Sequence, residues 1–206
     1  MVLWMVAALV CAYLLGALPT GYLIVKWIKG IDLRLVGSGH TGGTNALRAA
    51  GALSGGLTVV LDFGKGLAAV LLAQRLLAGI AGEAWVISLA GLLAVVGHNY
   101  PVFLKFRGGV GTMTSLGAGV ALMFSGTLAA WGLGLALILL TRYASLGSLA
   151  IAAALPIACV VGAALRAWPM QNLAFALGAG VLSIYALRAN IARLRNGTER
   201  RIGQHA

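Results

Sequence analysis

The sequence predicts an all-α protein, a polytopic integral membrane helical bundle with about seven transmembrane helices. Of its 206 residues, 61% are hydrophobic and only 9% are charged, and the mean hydropathy is +0.98. A water-soluble domain needs a far more polar surface than this composition supplies. The lipid bilayer must therefore be the solvent for most of the chain.

Seven apolar stretches follow one another along the chain, and polar or glycine-rich residues separate most of them. Crossing the hydrocarbon core takes about 20 apolar residues in a helix. The stretches lie near residues 3–25, 54–80, 83–104, 109–124, 126–141, 145–165 and 169–187. The fourth and fifth are short and meet near Ser125 and Gly126, so a single broken helix there would reduce the count to six.

The basic residues set the expected orientation, because loops on the cytoplasmic side of a membrane are enriched in Lys and Arg. With seven spans and the N-terminus outside, twelve of the fifteen Lys and Arg residues lie on the cytoplasmic side. These are Lys26, Lys29, Arg34, Arg48, Lys105, Arg107, Arg142, Arg188, Arg193, Arg195, Arg200 and Arg201. Arg75 and Arg166 lie outside, and Lys65 lies within the second span. The charges therefore favour seven spans, with a basic tail of residues 188–206 in the cytoplasm.

Net charge and cysteine usage narrow the classes of function. The formal charge of +11 would indicate nucleic-acid binding in a soluble protein. Here membrane topology, contact with anionic membrane lipids and recognition of phosphorylated substrates explain it better, so we expect no nucleic-acid partner. Cys11 and Cys159 lie in apolar stretches, away from any CxxC or Cys/His pattern, and we expect them to be packing residues with no metal centre. We expect residues 1–206 to form one transmembrane domain.

The loop after the first span concentrates glycines and hydrogen-bonding side chains. It contains four glycines within seven residues, Gly37 and Gly39 among them. Such a segment is costly in a helix and lets backbone amides approach a ligand. Ser38 and Asn45 offer hydrogen bonds, and Arg48 can hold an oxyanion through two parallel bonds. For this loop alone, an anion site and a flexible re-entrant loop are equally good interpretations.

A second glycine-rich turn reaches the same face between the third and fourth spans. Lys105 and Arg107 stand beside Gly108, Gly109 and Gly111, a pattern typical of an anion site formed by backbone amides. A helix that follows would add the positive end of its dipole. The alternative is an interfacial turn whose cations reach the lipid headgroups.

Two further turns, at residues 142–148 and 188–194, also carry arginine. Each alone is compatible with a positive-inside loop followed by a helix cap. All four polar clusters emerge on one face under a topology derived from the charges. This coincidence favours one shared site.

The second apolar stretch contains Asp62 and Lys65, which are three residues apart and hence on one helix face. We expect them to pair, because an isolated charge at this depth costs about 2.5 to 3.5 kcal/mol on insertion scales. A proton relay in a transporter is the alternative. A structural pair that supports the cytoplasmic loops is the preferred interpretation.

Five blocks of the sequence stand in a fixed order between about residues 16 and 199. They are GALPTGYLIVKWIKGIDLRLVGSGHTGGTNALR, LDFGKG, GHNYPVFLKFRGGVG, RYASLGS and NIARLRNGTE. In this order they resemble the bacterial PlsY-type glycerol-3-phosphate acyltransferases. The resemblance implies a multi-pass enzyme of the bacterial cytoplasmic membrane that moves a fatty acyl group from acyl phosphate to the 1-hydroxyl of glycerol 3-phosphate. The product would be lysophosphatidic acid for phospholipid biosynthesis, and no cofactor, metal or covalent intermediate is implied.

The resemblance also implies roles for individual residues. Ser38, Arg48, Arg142 and Asn190 match positions implied to be catalytic. The positions implied to bind substrate or phosphate are matched by Gly37, Gly39, Asn45, His98, Gly108, Gly109, Gly111, Ser145 and Arg193. The last block, which includes Glu199, closes the glycerol-phosphate pocket in the family.

Three positions depart from the family pattern. Val110 stands where the second motif has a lysine, Leu187 where a histidine is usual, and His40 where an asparagine is usual. Lys105 and His40 are the candidates to replace the lost contacts. The departures leave two hypotheses: an active acyltransferase with an altered phosphate pocket, or a catalytically impaired member that serves as a lipid-binding or structural subunit with partner chains in a membrane complex. The retained Arg48 favours the enzyme, and a transporter ranks third because the polar groups collect at one face.

Overall fold

The computed structural model describes residues 1–204, and these fold into a bundle of α-helices joined by loops and short turns. The α-helices are α1 (Val2–Ala17), α2 (Thr20–Lys29), α3 (Gly43–Leu77), α4 (Glu83–Asn99), α5 (Thr112–Leu122), α6 (Phe124–Thr141), α7 (Ala144–Ala164), α8 (Asn172–Ala186) and α9 (Arg188–Arg195). Short 3-10 turns occupy Leu33–Leu35 and Val102–Leu104. The prediction of an all-α membrane bundle is confirmed.

Five helical segments of the described chain are long and apolar enough to cross a membrane. They are α1 joined to α2, α3, α4 with the turn after it, α6, and α7. A bent pair, α8 with α9, makes a sixth if it is counted as one span, and its two helices meet at 58°. The short apolar helix α5 completes a series that follows the seven predicted stretches in order. The count of seven spans and the side of each terminus stay predictions.

Helix α3 starts earlier than the sequence indicated. The predicted apolar stretch begins near residue 54, whereas the helix begins at Gly43 and includes Arg48. Gly51, at a φ of 87°, kinks the helix between its polar first turns and its apolar remainder. Glycine adopts this left-handed conformation without the steric cost that a side chain brings. The second half of the first glycine-rich motif is therefore helical, which fixes the direction of its side chains.

The short helix α5 is held closely against α3. A side chain at Gly66 of α3 would collide with the backbone of Thr114, and one at Gly117 of α5 would collide with the carbonyl group of Phe63. Small residues let membrane helices approach to backbone contact, where van der Waals packing and polar contacts stabilise the pair. This contact fixes the start of α5 relative to the polar turns of α3.

The end of the bundle opposite the glycine-rich loops is tied by buried polar side chains. Ser88 Oγ donates to the carbonyl oxygen of Gln171 (2.7 Å), and Asn172 Nδ2 donates to that of Leu122 (2.8 Å). Phe175 is fully buried between these contacts and the centre of the apolar core. These contacts therefore join α4, α5 and α8 at this end, while the opposite end carries the polar loops.

Candidate active site

The first polar loop is organised by Asn45. Its Oδ1 accepts a hydrogen bond from the backbone N–H of Ser38 (3.2 Å). Its Nδ2 lies 3.2, 3.0 and 2.9 Å from the carbonyl oxygens of Leu33, Val36 and His40. The side chain is buried, and these bonds use its amide fully. Asn45, which the sequence suggested as a substrate ligand, fixes the loop that carries Ser38.

The second polar loop turns back onto the end of α4. The N–H groups of Gly108 and Gly109 donate to the carbonyl oxygens of Asn99 and His98, each at 3.1 Å. These two amides are therefore engaged within the protein, and the phosphate nest expected from the sequence is only partly free. The loop ends at Gly111, whose φ of 89° turns the chain into the first turn of α5.

Beneath the two loops lies a buried polar cluster centred on Asp62. Its Oδ1 accepts a hydrogen bond from Thr20 Oγ1 (2.6 Å) and lies 2.9 Å from Lys65 Nζ and 3.4 Å from His98 Nδ1. The side chains of the three charged or titratable residues are only 3 to 5% exposed. The predicted pairing of Asp62 with Lys65 is confirmed. A side chain at Gly109 would collide with Nε2 of His98, so the imidazole also supports the second loop.

The tail after α9 folds back over the site, and Glu199 anchors it. Glu199 Oε1 accepts hydrogen bonds from Ser145 Oγ (2.8 Å) and Asn190 Nδ2 (2.7 Å), and Oε2 accepts one from Arg193 Nε (2.7 Å). Burial raises the pKa of the Glu199 carboxyl, but these three bonds and the charge of Arg193 outweigh it and lower the pKa below its ordinary value. An ionised Glu199 therefore joins α7, α9 and the tail.

Two arginines bind the backbone of the same tail. Arg48 Nη2 donates to the carbonyl oxygen of Arg200 (3.3 Å), and Arg142 Nη2 donates to that of Ile202 (2.9 Å). The N–H of Ile202 in turn donates to the carbonyl oxygen of Arg142 (2.8 Å). Nε of Arg48 is buried and has no hydrogen-bond partner among the described residues. Arg48 thus keeps a free donor at the site.

A cavity of about 250 Å³ lies between α3, α5, α6 and α7, beneath the tail. Its polar end includes Ser38, Arg48, Thr112, Ser145, Asn190 and Glu199. Its apolar arm includes Val59, Leu116, Trp131, Leu135, Ile138 and Ile151. From Ile138 to Trp131 the arm follows α6 for about 10 Å. The cavity can therefore hold an anion at one end and a hydrocarbon chain at the other.

Most of the predicted site residues converge on this cavity or beside it. The cavity is lined by Ser38, Asn45, Arg48, His98, Gly111, Ser145 and Asn190. An adjoining pocket, which shares Ser38, is lined by Gly39, Gly108 and Gly109 together with Arg107 and Arg188. Gly37, Arg142 and Arg193 line neither. Gly37 leaves room for the amide of Asn45, and the two arginines bind the tail, so these three support the site from outside the cavity.

All three departures from the family pattern, His40, Val110 and Leu187, also line the cavity. Burial, followed by the nearby charges of His98 and two arginines, lowers the pKa of His40. His40 is therefore neutral near pH 7 and supplies no cation. Lys105 is exposed and does not line the cavity. Neither His40 nor Lys105 therefore places a positive charge in the cavity in place of the lysine that the family has at the position of Val110.

Sequence reasoning missed Thr112 and undervalued Glu199. Thr112 begins α5 directly after the glycine loop, and its buried Oγ1 has no partner within residues 1–204. The sequence did contain a sign of this role, because a threonine directly after a run of glycines is typical of a helix start that binds an anion. Glu199 is the one acidic residue among the arginines of residues 188–204, and this isolation was a sign that it pairs with one of them.

In the described part of the chain, no group of three or more His, Cys, Asp or Glu side chains is arranged to bind a metal.

Fold and site together define the class of this protein. It is an integral membrane helical bundle with a cavity at one end, where arginine, hydroxyl and amide side chains meet an apolar arm. The family model for glycerol-3-phosphate acyltransferase matches residues 6–197. The chain belongs to the glycerol-3-phosphate acyltransferase family, as its motifs predicted.

Relatives match nearly the whole chain. The glycerol-3-phosphate acyltransferase of Synechococcus elongatus is 43% identical over 209 residues, covering 99% of this chain and 97% of the relative. That of Shouchella clausii is 39% identical over 204 residues, covering 99% and 98%. A crystal structure of PlsY, an integral membrane glycerol 3-phosphate acyltransferase, in its glycerol 3-phosphate form has a TM-score of 0.85 at 38% identity and covers 97% of this chain and 96% of that chain. Its lysophosphatidic acid form has a TM-score of 0.82 at 37% identity, with 97% and 95% covered.

Proposed function

We propose that this protein is a membrane glycerol-3-phosphate acyltransferase that uses acyl phosphate and produces lysophosphatidic acid. The observation that carries the proposal is one continuous cavity that joins anion-binding groups to an apolar arm. Both substrates carry a phosphate group, which suits the polar end of the cavity. The acyl phosphate also carries a hydrocarbon chain, which suits the apolar arm. Similarity to acyltransferases over nearly the full length favours an enzyme over a structural subunit.

The reaction needs positioning and charge stabilisation. The 1-hydroxyl oxygen of glycerol 3-phosphate attacks the acyl carbonyl carbon, the new C–O ester bond forms, and the bond from that carbon to the phosphate oxygen breaks. The hydroxyl proton ends on the departing phosphate, so atoms and charge balance without a further reactant. Phosphate is a good leaving group, and holding both substrates in contact supplies much of the rate enhancement.

The polar end of the cavity provides the groups that hold phosphate. Arg48 offers its Nε, and Thr112 offers its hydroxyl at the first turn of α5; neither atom has a partner within residues 1–204. The N-terminal end of α5 adds backbone N–H groups and the positive end of a helix dipole. Ser38 completes this set from the first loop. These groups also stabilise the negative charge that develops on the carbonyl oxygen.

The apolar arm suits the acyl chain of the donor. Trp131, Leu135 and Ile138 follow one side of α6, and Ile151 faces them from α7. Phe63 of α3 packs against Trp131, with ring centroids 6.1 Å apart. A chain that enters here stays within the depth of the bilayer while its reacting carbonyl reaches the polar end.

We infer that the protein lies in the bacterial cytoplasmic membrane with the cavity facing the cytoplasm. The four polar loops at the cavity end carry most of the basic residues, and the positive-inside bias assigns such an end to the cytoplasm. Glycerol 3-phosphate is a charged metabolite that reaches a site on that side without crossing the bilayer. Tags at the two termini should therefore be accessible from opposite sides.

Replacing Arg48 tests whether this cavity binds phosphate, and replacing an arginine far from the cavity provides the control. Arg48→Ala removes a charge-assisted contact to phosphate and should lower kcat/KM at least about tenfold. Arg75→Ala, in the last turn of α3 at the other end of the same helix, is the control and should retain the rate. Equal activity of the two variants would overturn the assignment of phosphate to this cavity.

A further inference from the structure

His40 lies at the junction of the two pockets beneath the polar loops. It lines both of them, and Ser38 is the other residue that they share. The carbonyl oxygen of His40 accepts a hydrogen bond from Asn45 Nδ2 (2.9 Å), and its N–H donates to Ser38 Oγ (3.4 Å). The N–H of Thr41 donates to the carbonyl oxygen of Gly108 (3.3 Å), which joins this segment to the second loop. The imidazole is therefore attached to fixed backbone where the two loops meet.

The imidazole of His40 is available to a ligand. The hydrogen bonds that His40 makes within residues 1–204 use its backbone, and the half-buried imidazole takes part in none of them. A neutral imidazole donates through one ring nitrogen and accepts through the other, whereas a protonated imidazole donates through both. The ring can therefore bond to a ligand atom that enters either pocket.

Positive charge predominates around this junction. Burial is the largest cause that lowers the pKa of His40, and the nearby charges of His98, Arg193 and Arg188 lower it further. The imidazole is therefore neutral near pH 7 when no ligand is bound. The arginines that line the two pockets or lie beside them are Arg34, Arg48, Arg107, Arg188 and Arg193, and Tyr100 and Tyr185 add two phenol groups. This concentration of cations attracts anions.

The carboxylates near these cations are already engaged. In the main cavity, Asp62 lies 2.9 Å from Lys65 Nζ, and Glu199 accepts the three hydrogen bonds that anchor the tail. Asp32, which lines neither pocket, pairs with Arg34 at 2.7 Å. A protonated imidazole at the junction therefore has no unpaired carboxylate to balance its charge in the described part of either pocket. Its counterion has to be a ligand.

We propose that His40 takes up a proton from solution when a substrate phosphate binds and holds that phosphate as an imidazolium cation. The inference rests on the proposed function, which brings phosphate to this cavity. An opposite charge within about 4 to 6 Å favours the charged form of a side chain by about tenfold to a thousandfold. The protonated ring then donates a charge-assisted hydrogen bond to a phosphate oxygen. Arg48 supplies a permanent charge, whereas His40 supplies one only with the ligand.

The proposal has a definite consequence for the pH dependence of binding. A bound phosphate raises the pKa of His40, so protonation and phosphate binding favour each other. The contribution of His40 is full below the lowered pKa of the ligand-free protein, and it is lost as the pH rises through the higher pKa of the complex. Above both values the neutral ring adds no charge.

The first test compares the purified full-length protein with His40→Asn across this range of pH. Asparagine is neutral at every pH and keeps hydrogen-bonding groups at the junction. The ratio of the two KM values cancels the titration of the substrate and of every group that both proteins share. We expect the advantage of the wild-type protein in KM to be about fivefold to tenfold greater near pH 6 than near pH 8.5. An effect on the KM of glycerol 3-phosphate, of acyl phosphate or of both identifies which phosphate His40 holds.

The second test measures the proton directly. Calorimetric titration with inorganic phosphate, in buffers of different ionisation enthalpy, counts the protons taken up on binding. We expect the wild-type protein to take up at least about half a proton more per phosphate than His40→Asn near pH 7. Should His40→Asn not fold, His40→Gln takes its place. Should neither fold, nitrogen NMR of the wild-type histidine rings decides, and a spectrum in which no ring becomes protonated when phosphate is added overturns the inference.

The outcomes separate this inference from the proposed function. Parallel pH profiles and equal proton uptake in a protein that forms lysophosphatidic acid overturn the role of His40 and leave the proposed function standing. A wild-type protein that forms no lysophosphatidic acid at any pH overturns the proposed function, whatever its proton uptake with inorganic phosphate.

Discussion

Replacing Lys65 with methionine removes the cation that faces Asp62 inside the bundle. Asp62 Oδ1 then keeps its contacts with Thr20 at 2.6 Å and His98 at 3.4 Å, and its side chain is 3% exposed. Breaking a buried ion pair by removing one partner costs about 3 to 5 kcal/mol, because a charge remains buried without compensation. Since Thr20 and His98 still contact the carboxylate, we expect the lower end, about 3 kcal/mol.

The assay is thermal unfolding of the purified protein in detergent. For a chain of this size, each kcal/mol shifts the Tm by about 2 to 4 °C, so Lys65→Met should lower the Tm by about 6 to 12 °C. Adding Asp62→Asn removes the stranded charge and should recover about half of the loss, which is the coupling that a double-mutant cycle measures. Lys29→Met, which changes an exposed lysine, is the control and should leave the Tm within about 2 °C. If the double variant is as unstable as the sum of its single variants, Asp62 and Lys65 do not act as a pair.

Three further predictions concern the polar end of the cavity. Val110→Lys should add a phosphate contact and raise kcat/KM about tenfold or more. The gain should vanish when Arg48 is also replaced by alanine. A Val110→Lys variant that is no faster than the parent protein would contradict this prediction. Thr112→Val should raise the KM for a phosphorylated substrate several-fold. Thr127→Val, which also removes a buried hydroxyl that has no partner within the described chain, should not. Equal effects would remove Thr112 from the site. Because the folded-state pKa of Glu199 is lowered, its contribution to tail docking is full above about pH 4.3, the ordinary value, and is lost as the pH falls through the lowered pKa. Hydrogen exchange of the tail should show this loss of protection in acid, and identical profiles for the parent and Glu199→Gln would contradict it.

The fold could be predicted in its order of segments but less well in its helix boundaries. Hydropathy registers burial in lipid, so the seven apolar stretches correspond to the helical segments in sequence. It does not register that Gly43 begins α3, because the first turns of this helix are polar and the kink at Gly51 separates them from the apolar part. The break between α5 and α6 lies at Met123, close to the boundary expected near Ser125, where composition gave little guidance.

The candidate site was predictable as a set of loops and not as a set of contacts. Motif order identified Ser38, Arg48 and Asn190, and all three line the cavity. Motif order cannot tell whether a polar group is already bonded within the protein. It therefore did not distinguish Asn45, whose amide is used by its own loop, from Arg48, whose Nε has no partner among the described residues. It also could not show that the tail returns to the site, since that depends on hydrogen bonds between residues far apart in the chain.

The most direct test of the central claim is product formation by the purified protein supplied with acyl phosphate and glycerol 3-phosphate. Mass spectrometry of the lipid product and a phosphate assay follow both halves of the reaction. We predict lysophosphatidic acid and inorganic phosphate in equal amounts, with no lipid product when either substrate is omitted. A protein that unfolds cooperatively on heating, and is therefore folded, but yields no lysophosphatidic acid from these two substrates would contradict the account.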